Sequence, residues 1–375
     1  MNRLRFWLLP ALMCSFLWNS AFVCSQTKKK PADIKDPRLN QKVMVTVAGA
    51  ELKTPTATVW KGYLGEVFTV TLTNGEWLWI GEKGGWLWEQ QTIPLDASIE
   101  LLTERIAKQQ TAEHYHLRGV ALLAHQKFEA AIADFTESLR LQPLNAGALN
   151  NRGQARYDTG DYKTAIQDFT AAIAIDAKNP LVLNNRALAY IELDDPANAM
   201  SDLQAALTLV PDYPEALNNR GVVRLQLNAF DEAIADFTAA IKIHSHYVDA
   251  LENRAYAYVQ KDEHTKALAD LESAIQLNSQ SYQAANDMAW LLATSPEASI
   301  RDTKRALELA KLACDLTKYQ QWNTLDTLAV VYAENGQFAE AQKLLVAALK
   351  LAPGDEKVRI QNHLDLVASG KPVRD

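Results

Sequence analysis

Residues 146–179 read AGALNNRGQARYDTGDYKTAIQDFTAAIAIDAKN, and residues 214–247 read PEALNNRGVVRLQLNAFDEAIADFTAAIKIHSHY. The two stretches share one pattern, and the segments around them repeat it. A small residue recurs every 34 positions at Gly119, Gly153, Ala187, Gly221 and Ala255. A second small residue recurs at Ala131, Ala165, Ala199, Ala233 and Ala267. Four positions beyond it stands a large apolar residue, Phe135, Phe169, Leu203, Phe237 or Leu271. Three further on come Ser138, Ala172, Ala206, Ala240 and Ala274, then turn residues such as Pro143 and Pro211. A unit of this length holds two short helices and two turns. Neither helix can bury its apolar stripe alone, so neighbouring hairpins must stack to complete a core. Small residues let the paired helices approach, and the large residue fills the space between them.

The pattern resembles the tetratricopeptide repeat, with its small–aromatic–small signature. The resemblance implies an all-α solenoid, a right-handed superhelix of helical hairpins. About seven repeats are expected, at 112–145, 146–179, 180–213, 214–247, 248–281, 282–321 and 322–355. The last two are degenerate: Ala289 and Ala329 stand 40 apart, the excess falling mostly in Ser295–Asp302. Both ends read as capped. Ser98–Glu104 echoes Ala131–Glu137 as an orphan second helix within a cap and linker at 96–111. In the segment 356–375, Ile360, Leu364 and Val367 share one helical face, and Gly370 and Pro372 stop that helix. Terminal units with one polar face keep a solenoid soluble.

Upstream the periodicity changes. Val43–Val47 and Val67–Leu72 alternate as strands do, Asn74-Gly75 marks a hairpin turn, and Trp77–Ile80 and Trp86–Trp88 read as further strands. About five short strands over 42–95 predict a small all-β barrel. The run Gly75-Glu76-Trp77 to Gly85-Trp86-Leu87, then Ile93-Pro94-Leu95, resembles the bacterial SH3-like (SH3b) domain. Residues 26–41, with Lys28, Lys29 and Lys30 in a row, read as a flexible linker. Residues 1–25 carry Arg3 and Arg5, an apolar run from Phe6 to Trp18, and small residues before Gln26. This predicts a signal peptide and export to the periplasm, cell envelope or medium; an uncleaved anchor or a lipid on Cys24 are the alternatives. If the leader is removed, Cys314 alone certainly survives of three cysteines, and no internal disulfide holds the mature chain.

Five arginines share one position on first helices and five aspartates share one on second helices. Antiparallel helices let these positions face each other, so we expect the ion pairs Arg118–Asp134, Arg152–Asp168, Arg186–Asp202, Arg220–Asp236 and Arg254–Asp270. The late repeats place Met288 with Leu309 and Leu328 with Leu344, an exchange an interior tolerates.

In tetratricopeptide arrays the first helices line a concave groove, and the resemblance carries its positions onto this chain. One row reads His116, Asn150, Asn184, Asn218, Glu252, Asn286 and Asp326. The next rows include Gln154, Leu188, Val222, Tyr256 and Trp290, then Tyr157, Ile191, Leu225 and Val259, with Asp158, Glu192 and Glu334 beside them. Side-chain amides both donate and accept, so the asparagine row suits a peptide backbone. The following row, Asn151, Asn185, Asn219 and Asn253, reads as a structural tie between repeats. The binding rows hold no Lys or Arg, which argues against capture of a C-terminal carboxylate and for a neutral or basic partner. Trp77, Trp79, Trp86 and Trp88 form a second candidate surface, although most of the four are expected to fill the barrel's core.

Net charge is −7 with no basic stripe, which argues against nucleic acid. The chain shows no phosphate-binding loop, zinc spacing or nucleophile elbow. His244 and His246 would need further ligands to hold a metal, and Cys314 falls on a packed face. The expectation is therefore an exported, non-enzymatic scaffold or adaptor without cofactor, binding a protein or peptide in its groove. The alternative is a cell-wall-binding module in which the solenoid serves as spacer. A membrane enters only if the N-terminal segment is retained or lipidated.

Overall fold

The structure, a computed structural model, describes residues 36–47, 50–54, 57–61 and 65–373. The leader at 1–25 and the lysine run at 28–30 lie outside the described residues. The chain divides into two compact units, the first ending at Asp195 and the second beginning at Pro196.

The first unit opens with seven antiparallel strands: β1 (Lys42–Val45), β2 (Glu51–Lys53), β3 (Thr58–Lys61), β4 (Val67–Asn74), β5 (Trp77–Ile80), β6 (Gly85–Trp88) and β7 (Thr92–Pro94). Their order is β3-β2-β6-β5-β4-β1-β7, so the last strand pairs with the first. The β4–β5 turn is Gly75-Glu76, one residue beyond the expected place, with Gly75 at φ 61° and Asn74 opposite Trp77. Glycine, lacking a Cβ, takes that φ most readily. The sheet's core holds Val43, Val45, Leu52, Phe68, Val70, Leu78, Ile80 and Leu87.

This core corrects the reading of the tryptophans. The alternation along β5 and β6 turns Leu78, Ile80 and Leu87 inward, so Trp77, Trp79, Trp86 and Trp88 all fall on the other face. None of the four is buried. The linker is corrected too at its end: Arg38 donates to Gly75 O at 2.8 Å and to Glu89 Oε2 at 2.6 Å, and Asn40 N donates to Val70 O. Residues 36–41 are thus tied to the sheet.

Six helices follow in the first unit: α1 (Leu95–Lys108), α2 (Ala112–Ala124), α3 (Phe128–Leu141), α4 (Ala146–Asp158), α5 (Tyr162–Ile175) and α6 (Pro180–Glu192). Sheet and helices share a core, in which Met44 and Ile93 pack with Leu95 and Leu102 of α1 and Leu117 of α2. The β domain is therefore fused to the repeats, not strung before them. The second unit comprises α7 (Pro196–Leu209), α8 (Pro214–Gln226), α9 (Phe230–Ile243), α10 (Val248–Gln260), α11 (His264–Leu277), α12 (Tyr282–Thr294), α13 (Thr303–Leu316), α14 (Trp322–Glu334), α15 (Phe338–Leu351) and α16 (Glu356–Ala368). Each first helix of a repeat is even-numbered and each second helix odd-numbered.

Hairpin closure rests on size matching. A Cβ on Gly119, Gly153 or Gly221 would stand 2.7, 2.7 or 2.5 Å from the ring of Phe135, Phe169 or Phe237. Where the large residue is Leu271, the small one is Ala255, and both are buried in one cluster. Whereas α12 runs into Ser295 at φ −48°, the first helices α2, α4, α6, α8, α10 and α14 are each followed by a residue in the left-handed region, at Gln126, Gly160, Asp194, Asn228, Asp262 and Gly336. That cap turns the chain sharply into the second helix.

The ion pairs are bidentate. Arg118, Arg152, Arg220 and Arg254 each donate through Nε and Nη2 to both oxygens of Asp134, Asp168, Asp236 and Asp270, at 2.6–2.9 Å. Arg186 belongs to the first unit and Asp202 to the second. The same arginines reach back through Nη1 to the preceding second helix. Arg118 meets Thr103 of α1, Arg152 meets Thr136, Arg186 meets Thr170, Arg220 meets Gln204 and Arg254 meets Thr238. One guanidinium thus ties a hairpin together and ties it to its predecessor, and α1 serves as the second helix for a repeat that lacks its first. Arg156 and Arg224 add a second cation to Asp168 and Asp236. In the late repeats Met288 and Leu328 are buried, with Leu309 and Leu344 packed against the same cluster.

Candidate functional site

Within each unit the first helices carry the expected binding rows, which are not equally open. Asn184, Asn218 and Asn286 are buried, and Asn150 is half-buried. Their amides are engaged along the stack. Asn185 Nδ2 donates to Asn150 Oδ1 and Asn253 Nδ2 to Asn218 Oδ1, each at 3.1 Å, while Asn150 and Asn218 donate to Asn151 and Asn219. The row read as a contact for a peptide backbone is thus largely a tie between repeats, shared with the row behind it. Tyr157, Ile191 and Leu225 are also buried. Gln154, Leu188, Glu252 and Tyr256 keep part of their surface in solvent.

At the C-terminal end the cap fills the row. His363 of α16 meets Asp326 at 2.8 Å, and Arg359 lies 3.5 Å from the same carboxylate. The Arg359 guanidinium also sits 6.0 Å from the Trp290 ring and 5.4 Å from the Trp322 ring, within cation–π range. Trp290 therefore carries a residue of this same chain.

Beside these rows lie four acids that are also partly open. In the first unit Tyr157 Oη donates to Glu192 Oε1 at 3.1 Å, and Gln154 donates to Asp158 at 2.9 Å. Burial pushes the Asp158 carboxyl up to about 6 and raises that of Glu192. In the second unit Glu252 accepts from Ser281 at 2.6 Å, and burial, with the charges of Asp287 and Asp249, pushes its carboxyl up to about 8. Asp287 is pushed up to about 6 by burial. No Lys, Arg or His pairs with these four acids among the described residues. A buried carboxylate without a counter-charge favours its neutral form or an incoming cation. Asp158, Glu192 and Glu252 were legible as groove positions and Asp287 was not; the burial of all four was not legible, because it depends on how closely the hairpins stack.

The tryptophans make the second surface. Trp77 stands opposite Trp88 and Trp79 opposite Trp86 on one face of the sheet. The Trp79 and Trp86 rings meet edge-on with centroids 5.2 Å apart. Trp77 and Trp88 are 40% and 37% exposed and, with Glu51, Lys53 and Gln91, line a cleft of about 250 Å³. This is enough indole surface to stack against a ligand.

The residues weighed for chemistry sit in structural roles. Cys314 is fully buried, donates to Thr324 O at 3.2 Å, and burial pushes its thiol up to about 11, away from nucleophilic use. His246 bonds Ser245, and His244 stacks on Tyr247. Among the described residues no group of three His, Cys, Asp or Glu is placed to hold a metal ion.

Comparison with known proteins accords with this geometry. A model of the tetratricopeptide repeat matches residues 116–180, 184–248 and 226–282, and a second such model matches 323–352. Together they span just over half of the chain. No curated protein matches it in sequence. Among solved structures, a chain of the APC/C hetero-tetramer Cut9–Hcn1 superposes with a TM-score of 0.55 at 17% identity, over 62% of this chain and 45% of that one. Yeast Tom70 does so with a TM-score of 0.52 at 18% identity, over 73% and 59%. A tetratricopeptide repeat protein from Parabacteroides merdae gives 0.49 at 19% identity, over 72% and 99%. At these identities the likeness is one of fold.

Proposed function

This chain belongs to the tetratricopeptide-repeat family, and on that premise we propose that it is a non-enzymatic scaffold that binds protein partners or extended peptides on the face lined by its first helices. The observation that carries the reading is the contrast between the two kinds of charge. Four of the repeat arginines are locked into hairpins, whereas Asp158, Glu192, Glu252 and Asp287 face the first-helix side without a cation. Such a face repels an acidic partner and favours a neutral or basic one. The test is capture by the full chain, read by mass spectrometry. Asp158→Lys combined with Glu192→Lys removes the captured partner, and Glu137→Lys on a second helix does not, all variants keeping their helical circular dichroism. Equal capture by all three overturns the reading.

The reading extends to the N-terminus. Residues 1–25 direct export, and the exported protein begins at Gln26, which N-terminal sequencing checks. The β domain is an SH3-like barrel, a reading supported by its short meander and the pairing of its last strand with its first.

Binding of cell wall is the second reading, and the exposed tryptophan face favours it. Because sheet and helices share a core, the test uses the full chain. Trp77→Ala with Trp88→Ala abolishes co-sedimentation with purified cell wall if this reading holds. Absence of sedimentation by the unaltered chain removes it.

A further inference from the structure

We infer that the face formed by α10 and α12 is a receptor for a guanidinium, the arginine side chain of an extended partner peptide, held by Glu252, Asp287 and the Asn286 amide oxygen beside Tyr256 and Tyr282. The inference rests on the first-helix face being the binding surface and adds what it selects.

The first argument is the balance of donors and acceptors around Asn286. Ser281, Gln283 and Asn286 donate to the carboxyl groups of Glu252 and Asp287, which engages these three donors. The Asn286 oxygen is left over. Asn286 is 6% exposed, its Nδ2 bonds Asp287, and its Oδ1 is buried with no hydrogen-bond partner. A buried acceptor without a donor is costly, and an N–H brought in by a ligand would satisfy it. Asp249 adds a further negative charge to the same field. The cations nearest in sequence are committed: Arg254 to Asp270, and Lys261 to Asp231.

The second argument is a template within the same unit. One repeat further on, the corresponding row holds Asp326, and there the chain supplies its own ligand. Arg359 of the cap lies against the Asp326 carboxylate and over the rings of Trp290 and Trp322. The arrangement of acid and aromatic rings receives a planar cation, for which arginine is better suited than lysine. One repeat earlier Asn286 stands in the place of Asp326, with Tyr256 and Tyr282 in the places of Trp290 and Trp322; the acid is supplied from beside it, the Asp287 carboxyl bearing on both tyrosines and that of Glu252 on Tyr282. Among the described residues no arginine or lysine pairs with Glu252 or Asp287, so a guanidinium there comes from a partner. The acids are not grouped as a metal site among the described residues, which leaves an organic cation as the fitting class.

The test uses the full chain and short end-blocked peptides of alanine and serine with one central arginine, or with citrulline, its neutral isostere. The arginine peptide binds more tightly by about tenfold or more. That preference weakens as salt rises and disappears in Glu252→Gln combined with Asp287→Asn. The citrulline comparison needs no variant, so a variant that fails to fold does not blunt it. Equal affinity for both peptides, with chemical shifts moving on first-helix residues, overturns the inference and leaves the binding surface in place. Failure of either peptide to bind overturns the inference and counts against the surface as well. A preference for arginine unchanged in the double variant places the guanidinium elsewhere and also overturns it.

Discussion

At Gly153 the nearest atom to an added methyl is a carbon of the Phe169 ring, 2.7 Å away. Alanine gains about 1 kcal/mol of helix propensity over glycine, and forced overpacking costs about 1–3 kcal/mol. The clash wins, because the ring is fully buried and hemmed in. Gly153→Ala is expected to lower the melting temperature, and Gly153→Ala with Phe169→Leu to recover most of the loss, since Ala255 and Leu271 already use that combination. Thermal unfolding by circular dichroism checks this. Arg254 and Asp270 give a matching test for charge. Their side chains are 16% and 9% exposed, and no second arginine contacts Asp270. Arg254→Met is expected to cost about 3 kcal/mol by leaving the aspartate unpaired, and Arg254→Met with Asp270→Leu to cost less than half of that. Additive losses in denaturant titration would contradict the pairing. These pairs were legible because the 34-residue period aligns five copies and lets charges covary within one chain. The matching of glycine to phenylalanine and of alanine to leucine is legible in the same way, although only the distances give it meaning.

At the scale of elements, the first helices carry a strained charge and the strands an ambiguous pattern. The Glu252 carboxyl rests at about 8 in the folded chain against an ordinary 4.5. The folded state therefore holds a proton that the unfolded state has lost. Glu252 supports the fold fully below pH 4.5, and that support drains away as pH rises to about 8, by about 1.4 kcal/mol per unit. Glu252→Gln is expected to flatten this decline and to melt higher than the unaltered chain at pH 8; melting curves across the range decide it. In β5 and β6 the alternation sets two faces but not which one points inward, because tryptophan, leucine and isoleucine are all apolar. Packing resolved it in favour of the branched aliphatics, which fill a narrow sheet interior more readily than four indoles. The buried asparagine row was illegible for a related reason. A repeat position fixes the side of a helix, whereas the distance to the next hairpin decides whether that side is open.

For the molecule as a whole, the succession of a strand region and then paired helices was readable, whereas strands β2 and β3 and the joint between sheet and repeats were not. No local signal reports that Met44 and Ile93 share a core with Leu102 and Leu117, since such a contact is made only when the chain has folded. It follows that separating the sheet from the helices exposes apolar surface on both pieces, and each is expected to express poorly alone. Removing repeats from the C-terminus acts differently, because each hairpin leans mainly on its neighbours. Melting should fall by steps once a new cap is provided. The central claim, that the side built from first helices is where partners dock, is tested most directly by site-specific photocrosslinking in the full chain. A photoreactive residue at Leu188 or Tyr256 is predicted to capture the partner, and one at Lys163 or Lys242 on the exposed side of second helices to capture none. Capture from Lys163 or Lys242, with none from Leu188 or Tyr256, would contradict it.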